Sequence, residues 1–442
     1  MGRLLRTGLN AGMDAPRVVG GKGVYFHLSD GRRVLDGSNT GGPLGHGHPG
    51  MAEALRRAAD LPMVSEGWNW EGRDQAAEDL FEIALADESS WAGAVRFCLS
   101  GSEANDIALS LSQALTGRKA IATRERAYHG LVGLSRDVTV QPHWHGGLAG
   151  PNGGTQRPPA CAPVHVLPAP EGAVYRSHAE AAAHPVAPLE QRLAGAAAML
   201  QQSAAVILDY TQGGFYHDGA YQDAVAAIAR REGAFWIADE VVTGIGRAGR
   251  AFAFQGGKSR PDLVTLGKGL GGGTTPVAAI ILSKDMAQAL KGKSWQNYGT
   301  LRGHPITMAA VSAYLRIVRD DALLQRVSTL EGLYVRRLLE IAQRHPSVSR
   351  VAGQGLHWTI ELHGPDWRQW LADTPDAPIA SRVAGRALEA GAVIGTSGEQ
   401  TSLFLAPPLV ISDAESEQLL DILDHSLELA DREHNSMMER VH

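Results

Sequence analysis

Five short apolar runs decide what this chain can fold into: AVRFCL at 94–99, KAIATR at 119–124, AAVILD at 204–209, AFWIAD at 234–239 and DLVTLG at 262–267. None alternates cleanly between apolar and polar, which is the pattern of strands buried on both faces, as when helices cover both sides of a parallel sheet. Between the first two runs, SEANDIALSLSQALTG sets Ala104, Ile107, Ala108, Leu111 and Leu115 on one helical stripe, and Gly117 is placed to cap it. AYQDAVAAIARREG is a second helical stretch, between the third and fourth runs. Strand, helix and strand in this succession predict an α/β fold with a mainly parallel sheet. With 442 residues the chain exceeds what one core usually holds, so a large domain with a smaller companion is expected.

The flanks read differently. VYFHLSDGRRVLDG alternates around Asp30-Gly31 and predicts a hairpin. Residues 141–163 are so rich in Pro and Gly that they predict a long loop of the kind that borders a site. Beyond residue 305 come helical patterns, a strand pair around GLHWTIEL and SLFLAPPLVI, and a last helix. Ser412 and Glu415 form its capping box, and Leu419, Ile422, Leu423, Leu427 and Ala430 its apolar face, while the tail RVH is expected to be disordered.

Composition removes several classes. A formal net charge of −6 and the lack of any Lys/Arg block argue against nucleic acid as a partner. Cys98 and Cys161 are too few for a disulfide framework and fit a reducing compartment. The first residues carry positive charge without an apolar core, and no run approaches a membrane span, so a soluble cytoplasmic protein is expected.

Three of the strand junctions carry polar groups. Gly101 and Ser102 stand where a strand meets a helix, and free N–H groups at a helix start favour an anion such as phosphate; an ordinary Ser cap is the plainer alternative. Asp239 and Glu240 end AFWIAD at the carboxyl edge of the sheet, where ligands of open α/β folds bind. Lys268 ends DLVTLG at the same edge, and GLGGG after it leaves room for a flat ligand. One ligand with a phosphate, a basic nitrogen and an aldehyde answers all three, and pyridoxal 5'-phosphate has each. Lys268 can then form a Schiff base, Asp239 can keep the pyridine nitrogen protonated, and Tyr128 and Val241 can press on the two ring faces. GIGRAG at 244–249 satisfies G-x-G-x-x-G after a strand, but the residues that follow hold Gly256, Gly257 and Pro261 and leave no crossover helix, so a dinucleotide site is not expected. The pairs His46/His48 and His143/His145 lack further ligand spacing, and no metal is expected.

In this order, GSEAND, AYHG, IADEVVTGIGRAG, TLGKGLGGG and YGTLRGHP resemble the class III aminotransferases, a branch of the fold-type I pyridoxal-phosphate enzymes. The likeness spans nearly the whole chain, from DGRRVLDGSNTGGPLGHGHP to LAPPLVISDAE. It implies a large domain at 61–304 with a mainly parallel seven-stranded sheet flanked by helices, and a smaller α+β domain built from 1–60 and 305–442. It also implies that Lys268 bonds the cofactor, Asp239 pairs with its ring nitrogen, Gly101 and Ser102 hold its phosphate, and Tyr128 and Val241 sandwich its ring. Thr300 would reach the phosphate in a neighbouring subunit, which makes a homodimer the expected assembly.

Departures from the family bear on substrate. Where relatives acting on α-amino acids often carry a carboxylate-binding arginine, this chain has Phe404, and GTSGEQTS lacks the mobile arginine of amine transaminases. DYTQGGFY keeps Asp209 and Gln212 of the usual acidic-Pro-x-Gln-Gly stretch, and Val242 stands where many relatives have Gln. Arg302 is a candidate for a substrate anion or for an interface ion pair, and Trp68 and Trp70 for the pocket wall or for core packing. The expected reaction moves an amino group from an amine or ω-amino acid to a keto acid or aldehyde. The alternative is a lyase, mutase or decarboxylase of the same family acting on an anionic amino compound.

Overall fold

The computed structural model describes residues 17–141, 144, 146–149, 155–211, 216, 218–362, 378–397 and 401–441. An antiparallel meander opens it: β1 (Val18–Lys22), β2 (Tyr25–Leu28) and β3 (Arg33–Asp36). Its second turn falls at Asp30-Gly31, as the alternation predicts, and Gly31 has φ +87°, a region that side chains other than glycine rarely adopt.

Seven strands follow in the central sheet: β4 (Ala92–Cys98), β5 (Ala120–Arg124), β6 (Val164–Leu167), β7 (Ser203–Asp209), β8 (Phe235–Asp239), β9 (Leu263–Leu266) and β10 (Ala278–Ser283). They lie in the order β4-β10-β9-β8-β7-β5-β6. Every one of the five apolar runs is a strand of this sheet. β10 alone runs against both its neighbours, because the glycine turn between it and β9 is too short for a crossover helix.

The pleat of β7 sends Ala205 and Ile207 to one face and Val206 and Leu208 to the other. The first face meets Ile107, Ala108 and Leu111 of α1 (Gly101–Thr116). The second packs with Val225 and Ala229 of α2 (Gly219–Glu232) and with Val311 and Leu315 of α3 (Pro305–Asp320). Burying an aliphatic side chain contributes about 1.5–3 kcal/mol, so both faces reward apolar residues and the alternation disappears from the sequence. α1 ends as expected at Gly117, in the left-handed conformation with φ +70°.

Later elements include α4 (Leu323–Arg344), β11 (Val348–Gln354), β12 (His357–Leu362), β13 (Ala392–Val393), β14 (Ser402–Leu405) and α5 (Asp413–Val441). β12 pairs antiparallel with β14, the expected strand pair, and β13 joins β3 in parallel. A separate core gathers Val24 and Leu35 from one chain end with Trp358, Leu403, Leu419 and Leu423 from the other. The capping box of α5 is present: the Glu415 N–H donates to Ser412 Oγ at 3.2 Å, and the Ser412 N–H to Glu415 Oε2 at 2.9 Å. The helix then continues through Val441, against the expected disorder of Arg440 and Val441. No Pro or Gly follows Ala430, so each added residue extends an existing helix without a new nucleation cost. His442 lies outside the described residues.

Candidate active site

β7 and β8 end level with each other, since their parallel register sets Asp209 opposite Asp239. β9 lies beside β8, and Lys268 follows it in a 3-10 turn. Over this carboxyl edge lies a cavity of about 350 Å³, and Gly101, Ser102, Tyr128, Asp239, Val241 and Lys268 all line it.

Lys268 is exposed where its surface opens into this cavity, while protein atoms crowd around its side chain on the other sides and bury the amine group. That burial pushes its ammonium pKa below the ordinary value, opposed in part by the carboxylates of Asp239 and Asp209. A larger share of free amine follows, which is what a nucleophile for a carbonyl requires. The backbone of Lys268 has φ +40°, a left-handed conformation that costs a residue with a side chain on the order of 1–3 kcal/mol.

Asp239 is held from three directions. Asn105 Nδ2 donates to its Oδ2 at 2.8 Å, His129 Nδ1 meets the same oxygen at 2.7 Å, and the Val241 N–H donates to Oδ1 at 3.0 Å. A carboxylate only accepts, so Nδ1 carries the proton, and His129 Nε2 stands 2.9 Å from Thr123 Oγ1. Thr265 Oγ1 donates to Asn105 Oδ1 at 2.6 Å and fixes the orientation of that amide. Sequence reasoning missed His129 and Asn105. A signal for Asn105 is present, a polar residue beside Ala104 and Ala108 on the buried face of α1.

At the other end of the cavity the cap of α1 is Ser100, whose Oγ accepts from the Glu103 N–H at 3.2 Å. Gly101 and Ser102 therefore occupy the first helical turn, with backbone N–H groups directed out of the helix end. A Cβ on Gly101 would stand 2.7 Å from Val241 Cγ1, so a side chain there would collide with the residue that lines the cavity beside it.

Several other candidates lie elsewhere. Thr300 is exposed and Trp68 is 72% exposed, while Trp70 is partly buried against the core beneath α3. Phe404 stacks on His357, with centroids 5.8 Å apart and planes at 3°. Arg302 is 7% exposed, and its Nε and NH2 groups donate to Glu103 Oε1 at 2.9 and 2.6 Å. That ion pair engages the guanidinium within the chain. Among the described residues the cavity lining includes neither tryptophan, nor Thr300, Arg302 or Phe404. Asp209 is paired with Arg124 at 2.9 Å, His46 with Asp36 at 3.1 Å, and Gln212, His143 and His145 lie outside the described residues. After GIGRAG come turns and a single 3-10 turn, Ala253–Gly256, so the crossover helix of a dinucleotide site is missing as expected.

The sequence model of the family described as Aminotransferase class-III matches residues 12–427. The chain belongs to the class III aminotransferases. This aminotransferase is 32% identical over 428 residues to the acetylornithine aminotransferase of Mycobacterium tuberculosis, covering 95% of this chain and 94% of the relative. It is 31% identical to the diaminobutyrate-2-oxoglutarate aminotransferase of Rhizobium meliloti, with 90% and 85% covered. Among solved structures, an S-selective transaminase from Arthrobacter sp. superposes with a TM-score of 0.88 at 26% identity, over 97% and 96% of the two chains.

Class III aminotransferases use pyridoxal phosphate, and the cavity suits that group. It has a helix start for an anion at one end, a held carboxylate for a basic nitrogen, and an amine with lowered pKa for a carbonyl. Thr211 Oγ1 and Thr275 Oγ1, both of lining residues, are buried without a hydrogen-bond partner among the described residues, which suits a polar occupant.

Proposed function

We propose that this aminotransferase takes an amino group from an amine or ω-amino acid and hands it to a keto acid or aldehyde, with Lys268 as the covalent anchor of pyridoxal 5'-phosphate. When bound, the cofactor supplies an electron sink for negative charge at the substrate carbon. Lys268 Nζ would hold the cofactor's carbonyl carbon and, as a free amine, would take up and return the proton at the substrate carbon. Asp239 keeps the ring nitrogen protonated, and His129 and Asn105 hold that carboxylate in place. Gly101 and Ser102 receive the phosphate, while Tyr128 and Val241 confine the ring.

The observation that carries this reading is the amine of lowered pKa at Lys268 sharing one cavity with a buried carboxylate held by hydrogen bonds. The names of the relatives support an ω-amino donor, since ornithine and diaminobutyrate each bear an amine remote from the carboxylate. With Arg302 paired to Glu103, the lyase reading keeps as its support the missing carboxylate-binding arginines.

A homodimer completes the proposal, with Thr300 reaching the partner's phosphate. Met63, Trp68, Tyr298 and Leu301 support it: all are exposed, and the two segments that carry them touch, the Gly299 N–H donating to Glu66 Oε2 at 2.7 Å. The free cysteines, Cys98 and Cys161, fit a reducing compartment such as the cytoplasm.

The test is borohydride reduction followed by peptide mapping, with modification expected at Lys268. Lys268→Ala should bind the cofactor without a covalent bond and lose roughly 10²–10⁴-fold or more in turnover, the worth of a positioned proton carrier. Turnover of that variant at the normal rate would end the proposal. A panel of amines should bleach the yellow band one donor at a time, and ammonia release without an acceptor would instead mark a lyase.

A further inference from the structure

Of the two unpartnered threonines, Thr275 precedes β10, whose first residue pairs with Cys98 at the end of β4, so it stands near Gly101 and Ser102. Thr211 stands at the other end. It lies two residues beyond β7, and the sheet order sets β7 on the far side of β8 from β9 and β4. Its hydroxyl is buried, and the residue is 3% exposed.

Pyridoxal phosphate carries its phosphate arm and its ring hydroxyl on opposite sides of the axis from ring nitrogen to carbonyl carbon. With the phosphate at Gly101 and Ser102, the nitrogen at Asp239 and the carbonyl at Lys268, the ring hydroxyl is directed toward β7. We propose that Thr211 donates a hydrogen bond to that 3-oxygen and thereby sets the proton affinity of the Lys268 nitrogen bonded to the cofactor. This rests on the cofactor reading above.

Among the described residues, the other groups lining that end are committed or unsuitable. The Tyr210 hydroxyl donates to Gln222 Oε1 at 2.9 Å, and Asp209 accepts only and is paired with Arg124. The Asn105 amide donates to Asp239 and to the His129 carbonyl, and Val242 is apolar. Tyr128 is the remaining hydroxyl, and it stands on the loop expected to cover a face of the ring. A donor to the 3-oxygen favours the form in which that oxygen holds most negative charge, the form without the shared proton. Thr211 therefore lowers the pKa at which the Lys268-bound cofactor gives up that proton.

The experiment follows the visible band of the Lys268-bound cofactor against pH in the wild type, Thr211→Val, Thr211→Ser and Tyr128→Phe. Thr211→Val keeps the side-chain shape without the hydroxyl and should raise the apparent pKa by about one to two units, the shift equivalent to one hydrogen bond to a charged oxygen. Thr211→Ser restores the hydroxyl and should titrate as the wild type does. A wild-type titration in Thr211→Val overturns the inference, and so does a shift carried by Tyr128→Phe alone. Should Thr211→Val fail to retain cofactor, the serine variant decides: a wild-type curve supports the hydroxyl, and a displaced one overturns it. Failure of the wild type to bond cofactor at Lys268 would instead strike the parent reading.

Discussion

Asp239 and His129 form a buried pair, 5% and 2% exposed, in which each group is satisfied by the other. With the cofactor bound, Asp239 would also be one member of a buried ion pair with the ring nitrogen, and removing one member of such a pair typically costs about 3–5 kcal/mol. Asp239→Asn should therefore lower single-turnover rates by at least about a hundredfold, if that energy is expressed in the transition state. Rapid mixing with an accepted donor measures it, and a rate near wild type would show that the charge at 239 has no part in the chemistry. Lys268 and Asp239 were legible in the sequence because a charged residue ending an apolar strand needs a reason. His129 was not, and Asn105 only as a polar residue on the buried face of α1, since their role is a contact between β5, α1 and β8 that only the fold brings about. The partner of Arg302 was not legible for a similar cause: Glu103 is remote in sequence.

The turn after β8 shows the same limits at the scale of an element. Burial pushes the Glu240 carboxyl up from 4.5 to about 7, against hydrogen bonds from Thr243 and from the Phe254 and Ala253 backbone that favour the charged form. Its folded pKa is raised above the unfolded one, so its contribution to stability is full below about pH 4.5 and is lost as pH rises through about 7. The unfolding free energy from urea titrations should accordingly fall between pH 5 and 8 by an amount on the order of 3 kcal/mol, and Glu240→Gln should flatten that slope. A variant with the same slope as wild type would assign the pH dependence to other groups. Gly101→Ala tests the start of α1: its Cβ must displace Val241, and cofactor affinity should drop at least tenfold in equilibrium dialysis, with the helical circular dichroism unchanged. The five foreseen strands were legible from their apolar runs. β10 was not singled out, although Val277–Leu282 is apolar and its short link to β9 already demanded an antiparallel return.

Over the whole molecule, Arg247 from the misleading glycine motif serves as a clamp. Its guanidinium donates to the carbonyls of Leu356 at 3.2 Å, Asn39 at 3.3 Å, and Pro407, three distant parts of the chain. Burial, opposed by Tyr314, Asp36 and Tyr334, pushes its pKa down to about 10, so it stays charged at neutral pH. Arg247→Met leaves those carbonyls without their donor, at about 1–3 kcal/mol each, and should lower the thermal midpoint by several degrees or more. An unchanged midpoint would show that the three segments hold together without it. The interleaving of the chain ends also has a consequence for translation. β3 emerges from the ribosome early, yet the strand that completes its outer edge, β13, is made near the end. Throughout that interval a nascent polypeptide carries an open hydrogen-bonding edge, guarded by the brevity of β3 and by Arg33 at its start.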